Sequence, residues 1–143
     1  MKVREILAEA EGTVIKLRGF GASEKAKEFV AKVYAKYPGT FQNNHVMQFG
    51  EEEFAVFELV PSFNKKDAVE IKWIQAIPTG SGVGAKAMAE LQKLAREDGI
   101  QLTLYPWDKG QVSQSKLMKF YKRQGFKTTA KGAKNMYWDP NEQ

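Results

Sequence analysis

Apolar residues recur at helical spacing in several stretches of the chain and cluster as β-formers between them. Val3, Ile6, Leu7 and Ala10 share one face of a short helix over residues 1–11, and Gly12 ends it. Residues 13–17 alternate weakly, before the break at Gly19-Phe20-Gly21. Ser23 stands where an N-cap belongs, ahead of an amphipathic helix over 24–37 that carries Ala26, Phe29, Val30, Val33 and Tyr34 on one face. Pro38-Gly39 stops it. Two short strands, 45–49 and 54–60, flank the turn Gly50-Glu51-Glu52, which is a hairpin signal. After a loop over 61–67, residues 68–77 are mostly β-formers.

A tight break over 78–82 leads into a strong helix over 84–97. Ala85, Met88, Leu91, Gln92 and Ala95 form its stripe, Ala87 and Leu94 widen it, and Gly99 caps it. A strand over 100–105, a loop over 106–110 and a helix from Gln111 or Ser113 to about Gln124 follow, with Gly125 at its end. Two final strands are predicted over 126–129 and 135–138. The unit from 70 to 105 is strand, turn, helix, strand, which places its strands parallel with a right-handed crossover. The earlier hairpin is antiparallel, so the sheet is expected to be mixed.

Composition narrows the class. A chain of 143 residues, 43% hydrophobic and 27% charged, suits one globular domain. There is no cysteine, hence no disulfide framework, thiolate metal site or cysteine nucleophile. No apolar run approaches the roughly 20 residues of a membrane span, and the N-terminus lacks the apolar stretch of a signal peptide. A soluble, cytoplasmic protein is the expectation, as a monomer or homodimer. The net charge is +5, but the lysines are dispersed without a block of like charges. That dispersal, with no recognised motif, argues against nucleic acid as a partner.

The most informative segment is the turn Thr79-Gly80-Ser81-Gly82-Val83-Gly84-Ala85 between a strand and a helix start. A helix start presents unpaired N–H groups and partial positive charge, and glycine lets backbone approach an anion closely. Gly82, Val83, Gly84 and Ala85 are therefore expected to aim their amides at a phosphate or pyrophosphate. The bland alternative is a tight strand-to-helix turn and nothing more. The segment also fits a dinucleotide fingerprint formally, but it lies past mid-chain and no acid ends the next strand. A P-loop is excluded, since no Gly-Lys-Ser or Gly-Lys-Thr occurs.

This turn resembles the pyrophosphate turn of the GNAT superfamily, the acyl-CoA-dependent N-acetyltransferases, whose pattern is Gln/Arg-x-x-Gly-x-Gly/Ala. Thr79 departs from it at the first position. A second segment, residues 114–126, resembles the family's Asn-x-x-Ala-x-x-Leu/Phe-Tyr-x-x-x-Gly-Phe at Phe120, Tyr121, Gly125 and Phe126, and departs at Gln114 and Leu117. The order of elements agrees over roughly residues 13–139. The resemblance implies an α/β (α+β) fold with a central mixed, mostly antiparallel sheet, splayed parallel strands and flanking helices. It implies one domain over 13–139, preceded by a helical appendage over 1–12.

The resemblance also implies roles. The strands 68–77 and 100–105 splay, and pantetheine pairs with the first around Ile74, Gln75, Ala76 and Ile77. A backbone N–H there polarises the thioester carbonyl. Thr79, Gly80, Gly82, Val83, Gly84, Ala85, Gln114 and Leu117 are implied to contact acetyl-CoA, the co-substrate, and no metal is required. Lys86, Lys119, Lys122 and Arg123 are available to its 3′-phosphate. Tyr121 matches the general acid, since a phenol stays protonated at neutral pH and can donate. Glu70 is a candidate base on the splayed strand, where a period of two gives it one face with Lys72, Ile74 and Ala76. His45, the one histidine, is a second candidate, and water a third. Tyr105, Trp107 and Asp108 are expected near an acceptor amine, either a small molecule or a protein lysine or N-terminus. An acyl-CoA-binding or non-catalytic module of the same fold is the alternative reading, and a basic nucleic-acid-binding protein, favoured by the charge and the aromatics but by no motif, ranks after it.

Overall fold

A computed structural model describes residues 21–41, 44–107 and 112–142. The expected helix over 1–11, the strand over 13–17, the domain boundary at residue 12 and Asp108 lie outside the described residues. In chain order the elements are α1 (Glu24–Lys36), β1 (Thr40–Phe41), β2 (Asn44–Gly50), β3 (Glu53–Pro61), β4 (Ala68–Ile77), α2 (Val83–Asp98), β5 (Gln101–Leu104), α3 (Gln114–Arg123), β6 (Lys127–Thr128) and β7 (Met136–Trp138). A 3-10 turn over Pro140–Glu142 closes the described chain. Neither it nor β1 has a signal in the apolar pattern.

The strands form one sheet in the order β1-β2-β3-β4-β5-β7-β6. Among the described residues, β4 with β5 is the parallel pair, and every other pairing is antiparallel. The crossover between β4 and β5 is α2, as the strand-turn-helix-strand pattern requires.

Each helix begins and ends where its chemistry allows. Ser23 Oγ accepts from the Ala26 N–H at 3.2 Å and caps α1. Tyr37, expected inside that helix, is instead its C-cap, with its N–H on the Val33 carbonyl. Ser113 Oγ accepts from the Lys116 N–H at 3.2 Å and caps α3. Gly82 and Gly99 flank α2, both left-handed. The buried face of α2 is Val83, Ala87, Met88, Leu91, Leu94 and Ala95. Ala87 and Leu94 are therefore core, while Ala85 and Gln92 sit at the margin. Gln92 can lie there because its Nε2 donates to the Gln124 carbonyl at 2.6 Å.

The helices bury these faces against one side of the sheet. Ala55, Phe57 and Leu59 of β3 join the same core as Leu102, Met136 and Trp138. The ladder between β3 and β4 slips at one point: Glu58 pairs with Trp73, but Leu59 pairs with Ile71. Lys72 is thus the extra residue of a β-bulge. Past it the alternation of β4 reverses. Ile71, Ile74 and Ala76 oppose Leu59, Phe57 and Ala55 on the core side, while Glu70, Trp73 and Gln75 oppose Val60, Glu58 and Val56 on the other. The expectation that Glu70 shares a face with Ile74 and Ala76 is therefore incorrect, because a period of two does not survive a bulge.

The bulge is braced from α1. The Tyr34 hydroxyl donates to the Leu59 carbonyl at 3.0 Å and accepts from the Leu59 N–H at 2.8 Å. Burial pushes the Tyr34 hydroxyl above its ordinary pKa, against the lowering effect of the Leu59 bond. A neutral phenol is the form that can both donate and accept here. Removing the hydroxyl leaves both Leu59 groups without this partner, so Tyr34→Phe should cost about 1–3 kcal/mol. Urea unfolding checks this; a change within 0.3 kcal/mol (about the additivity error) would show that the bulge stands without its brace.

A second tie links α1 to α2. The Tyr37 hydroxyl donates to Glu90 Oε2 at 2.5 Å, and Lys36 Nζ bonds the same oxygen at 3.0 Å. Burial alone would raise the Glu90 carboxyl, but the bonds from Tyr37 and Lys36 outweigh it and hold it below its ordinary value of 4.5. Burial and then the bond to Glu90 push Tyr37 far above its ordinary 10.0. The signs bracket a window. The depressed Glu90 stabilises the fold above about pH 4.5, and this is lost as pH falls through its folded value. The raised Tyr37 contributes fully below about pH 10, and this is lost as pH rises further. Thermal melts across pH should show Glu90→Gln flattening the acid limb of the stability profile. An unaltered acid limb contradicts the assignment.

Candidate active site

β4 and β5 pair over three register positions, Ala68 with Gln101, Val69 with Leu102 and Glu70 with Thr103. Beyond Glu70 the two strands part, and β4 runs on to Ile77 beside β3 while β5 ends at Leu104 beside β7. The parting follows the bulge directly, as expected where a bulge bends a strand and increases its twist.

The Gly-rich turn lies at the far end of β4. The Ile77–Pro78 peptide is cis, and Gly80 and Gly82 have φ of 79° and 87°. That region is open to glycine at little cost. Ser81 Oγ donates to the Pro78 carbonyl at 2.7 Å and accepts from the Val83 N–H at 3.4 Å. Gly82 is the N-cap of α2 and offers no side chain to the free amides of the first turn. A Cβ on Gly80 or Gly82 would meet nothing within 4 Å, so the approach is open. A Cβ on Gly84 would meet Phe120 Cζ at 3.5 Å and Ala76 Cβ at 3.8 Å. Here α3 leans on the start of α2 and the end of β4. These are features that an anion with an extended arm would fit: open amides at the turn and a strand that has left its neighbour.

Tyr121 is buried, 9% exposed, with its ring edge-on to Phe120 at 5.2 Å and Phe126 at 5.8 Å. Leu117 is half-buried against the same core. Gln114 Nε2 donates to the Pro106 carbonyl at 3.0 Å, tying the start of α3 to the loop after β5.

On the sheet face away from α1 and α2, Val60, Glu70 and Thr103 lie side by side in register. They line a cavity of about 560 Å³ whose wall includes Phe63, Lys72 and Tyr105. Glu70 is half-buried there and has no hydrogen bond or ion pair among the described residues, Lys72 included. Tyr121 and the Gly-rich turn do not line this cavity. The structure therefore brings Glu70 and Tyr105 together and leaves Tyr121 and residues 80–85 on the helix side of the parted strands. His45 is in neither place. It stacks on Tyr34 at 3.6 Å, and its Nδ1 meets the Tyr37 carbonyl at 3.0 Å. Its role is to close the end of α1.

Phe63, Asn64, Thr129 and Asn135 also line the cavity without having been singled out from the sequence. Phe63 alone carried a signal, as an aromatic in an otherwise polar loop; it is 66% exposed. Among the described residues no cluster of three His, Cys, Asp or Glu could hold a metal, and no helix is long and apolar enough to cross a membrane.

No family model and no curated protein sequence matches the chain. Among solved structures, the anti-CRISPR protein AcrVA5 is similar with a TM-score of 0.51 and 20% identity, over 66% of this chain and 96% of its own. The fold is GNAT-like. AtaTR bound with AcCoA matches with a TM-score of 0.39 and 15% identity, over 69% of each chain. The KacTA-DNA complex matches with a TM-score of 0.39 and 16% identity, over 87% of this chain and 85% of its own. The GNAT-like fold accounts for the mixed sheet and the parted strands, and it leaves the chemistry to the residues.

The two kinds of glycine in the turn separate by substitution. Gly82→Ala forces a left-handed alanine and should cost about 1 kcal/mol or more. Gly84→Ala fits its space and should be neutral or stabilising by up to about 1 kcal/mol. Denaturant midpoints at equal m-values test the pair, and equal costs at both positions would contradict this account of the turn.

Proposed function

We propose that the protein is an N-acetyltransferase that moves an acetyl group from acetyl-CoA to a primary amine. The observation that carries this reading is the parting of β4 from β5 after Glu70, next to a helix start whose amides are open. The amides of Gly82, Gly84 and Ala85, and that of Val83 on release from Ser81 Oγ, would hold the pyrophosphate, with Thr79 and Gly80 shaping the approach. Ile74, Gln75, Ala76 and Ile77 would offer backbone to the pantetheine arm, with Leu117 beside it. Gln114 supports this region by fixing the loop at Pro106 rather than through a free amide.

Acetyl-CoA supplies an acyl carbon activated as a thioester. Glu70, a half-buried carboxylate on the cavity side, attracts the acceptor's ammonium and takes a proton from it, directly or through water. The neutral amine attacks the acyl carbon from the cavity while a β4 N–H stabilises the developing oxyanion. Tyr121, on the helix side, donates its proton to the departing sulfur. The C–N bond forms as the C–S bond breaks: the ammonium gives one proton to Glu70 before attack, Tyr121 gives its proton to the departing thiolate, and the acylated nitrogen sheds its second proton to water, from which Tyr121 is protonated again.

The buried packing of Tyr121 and the engaged Gln114 amide favour one second reading, a GNAT-like module that binds acyl-CoA without turnover. Calorimetry with acetyl-CoA tests the shared part. Micromolar binding, about −8 kcal/mol, is expected, with a rise in melting temperature. No heat at millimolar acetyl-CoA sinks both readings. Gly84→Leu should weaken binding by crowding Phe120, while Tyr121→Phe should cut turnover about 100-fold or more with affinity retained. Binding with no transfer to any amine in a mass-spectrometric acceptor screen selects the second reading.

A further inference from the structure

The net charge of the chain is unevenly placed. Residues 112–138 contain Lys116, Lys119, Lys122, Arg123, Lys127, Lys131 and Lys134 and no Asp or Glu, whereas the rest of the sequence holds more acids than bases. The cations look scattered along the sequence because α3, β6 and the turn before β7 each carry a few. Folding brings these elements together. β6 and β5 both run antiparallel to β7 and so point the same way. The turn after β6, with Lys131 and Lys134, therefore lies at the end of the sheet where β5 stops and α3 begins with Lys116. Thr129 and Asn135, at the base of that turn, line the same cavity as Tyr105.

Five lysines elsewhere are compensated, whereas Lys65, Lys66, Lys72 and Lys93 have no ion pair within 4.0 Å among the described residues. Lys25, Lys27, Lys32, Lys36 and Lys86 each lie within 4.0 Å of a carboxylate. In the basic segment Lys127 has Glu142 at 3.4 Å, but Lys116, Lys119, Lys122, Arg123, Lys131 and Lys134 are exposed with no ion pair among the described residues. A surface of uncompensated like charge is held at an electrostatic cost that an anionic partner would remove.

The same end of the molecule bears the large exposed apolar side chains. Among the described residues these are Phe63, Tyr105 and Trp107, 66%, 51% and 62% exposed, and all three are aromatic. The Gln114 bond to Pro106 anchors the loop between Tyr105 and Trp107 to the first turn of α3. A lipid surface calls for a continuous apolar face such as an amphipathic helix presents, whereas Phe63, Tyr105 and Trp107 stand on loops. An acidic protein segment would use the lysines but has no general use for exposed flat rings. A phosphate backbone with unstacked bases uses both.

We propose that this face binds single-stranded nucleic acid, with Lys116, Lys131 and Lys134 on phosphates and Tyr105 and Trp107 stacking on bases. The sequence-based expectation against nucleic acid judged the cations by their order in the chain, and this proposal departs from it by judging them by their place in the fold. The inference does not depend on the acetyltransferase reading, and none of these three lysines contributes to the Gly-rich turn.

Fluorescence polarisation with a labelled RNA of about 20 nucleotides, against the same sequence as a duplex, is the direct test. Micromolar single-strand binding at low salt is expected, weaker for the duplex, with log K falling against log salt by about 0.7 per phosphate contact. Lys116→Glu/Lys131→Glu/Lys134→Glu should weaken binding about ten-fold or more and flatten that slope by about 2. Tyr105→Ala/Trp107→Ala should lose about five-fold or more with an unchanged slope. Acetyl-CoA stabilisation of the triple variant reports separately on the other site, so either reading can fail alone. Three results overturn the proposal: no binding at low salt, equal affinity for duplex, or poly-glutamate or anionic vesicles competing as well as RNA. If the triple variant misfolds, the salt slope and the competition on the native protein still decide it.

Discussion

One extra residue in one strand organises the centre of this molecule. Lys72 has no partner in the ladder with β3, and the strand on its far side is turned over relative to the strand before it. A bulge lets a strand leave its neighbour, and here β4 leaves β5 just as the irregularity begins. The cost of broken pairing at Leu59 is met from outside the sheet, by a tyrosine hydroxyl on α1 that both gives and receives a hydrogen bond. The first helix therefore supports the gap although it stands on neither side of it.

The gap divides the chemistry between two faces. On the helix side are the open amides at the start of α2 and the ring of Tyr121; on the other are Glu70 and the aromatic-walled cavity. This division suits a two-substrate reaction, since two reactants can enter from opposite sides and meet in the plane of the sheet. It also separates the failures that substitutions cause. On the proposed reading, a change at the turn would act on one reactant and a change at Glu70 or Tyr105 on the other.

Much of this was legible in the sequence, and the limits are physical. The extent of β4 was read to the residue, because β-branched content and the Pro78 break bound it sharply. The turn at Gly80–Gly84 was found because positive φ and close approach both call for glycine. The stripe of α2 was misplaced at Ala85 and Gln92, since a side chain such as Gln92 satisfies itself at a margin through a distant carbonyl. The bulge was not legible, because Lys72 is an ordinary strand residue until pairing with β3 is known. His45 had the chemistry of a base and the location of a structural residue, and only three-dimensional placement separates the two. The cavity is built from loop residues such as Asn64 and Asn135, whose identity says nothing of where the loops meet.

Among the described residues the two outermost strands, Thr40–Phe41 and Lys127–Thr128, are each two residues long. Such short borders give a neighbouring molecule almost nothing to pair with. The long side of β4 past Glu70, where no described strand follows, is the opposite: extended, apolar at Ile74 and Ile77, and set in the middle of the sheet rather than at its rim. Its end lies beside the start of α2 and the ring of Phe120, where Gly84 stands close to Ala76. The unpaired strand side thus lies inside the sheet rather than at its rim, where a foreign strand would have to displace a helix to pair with it.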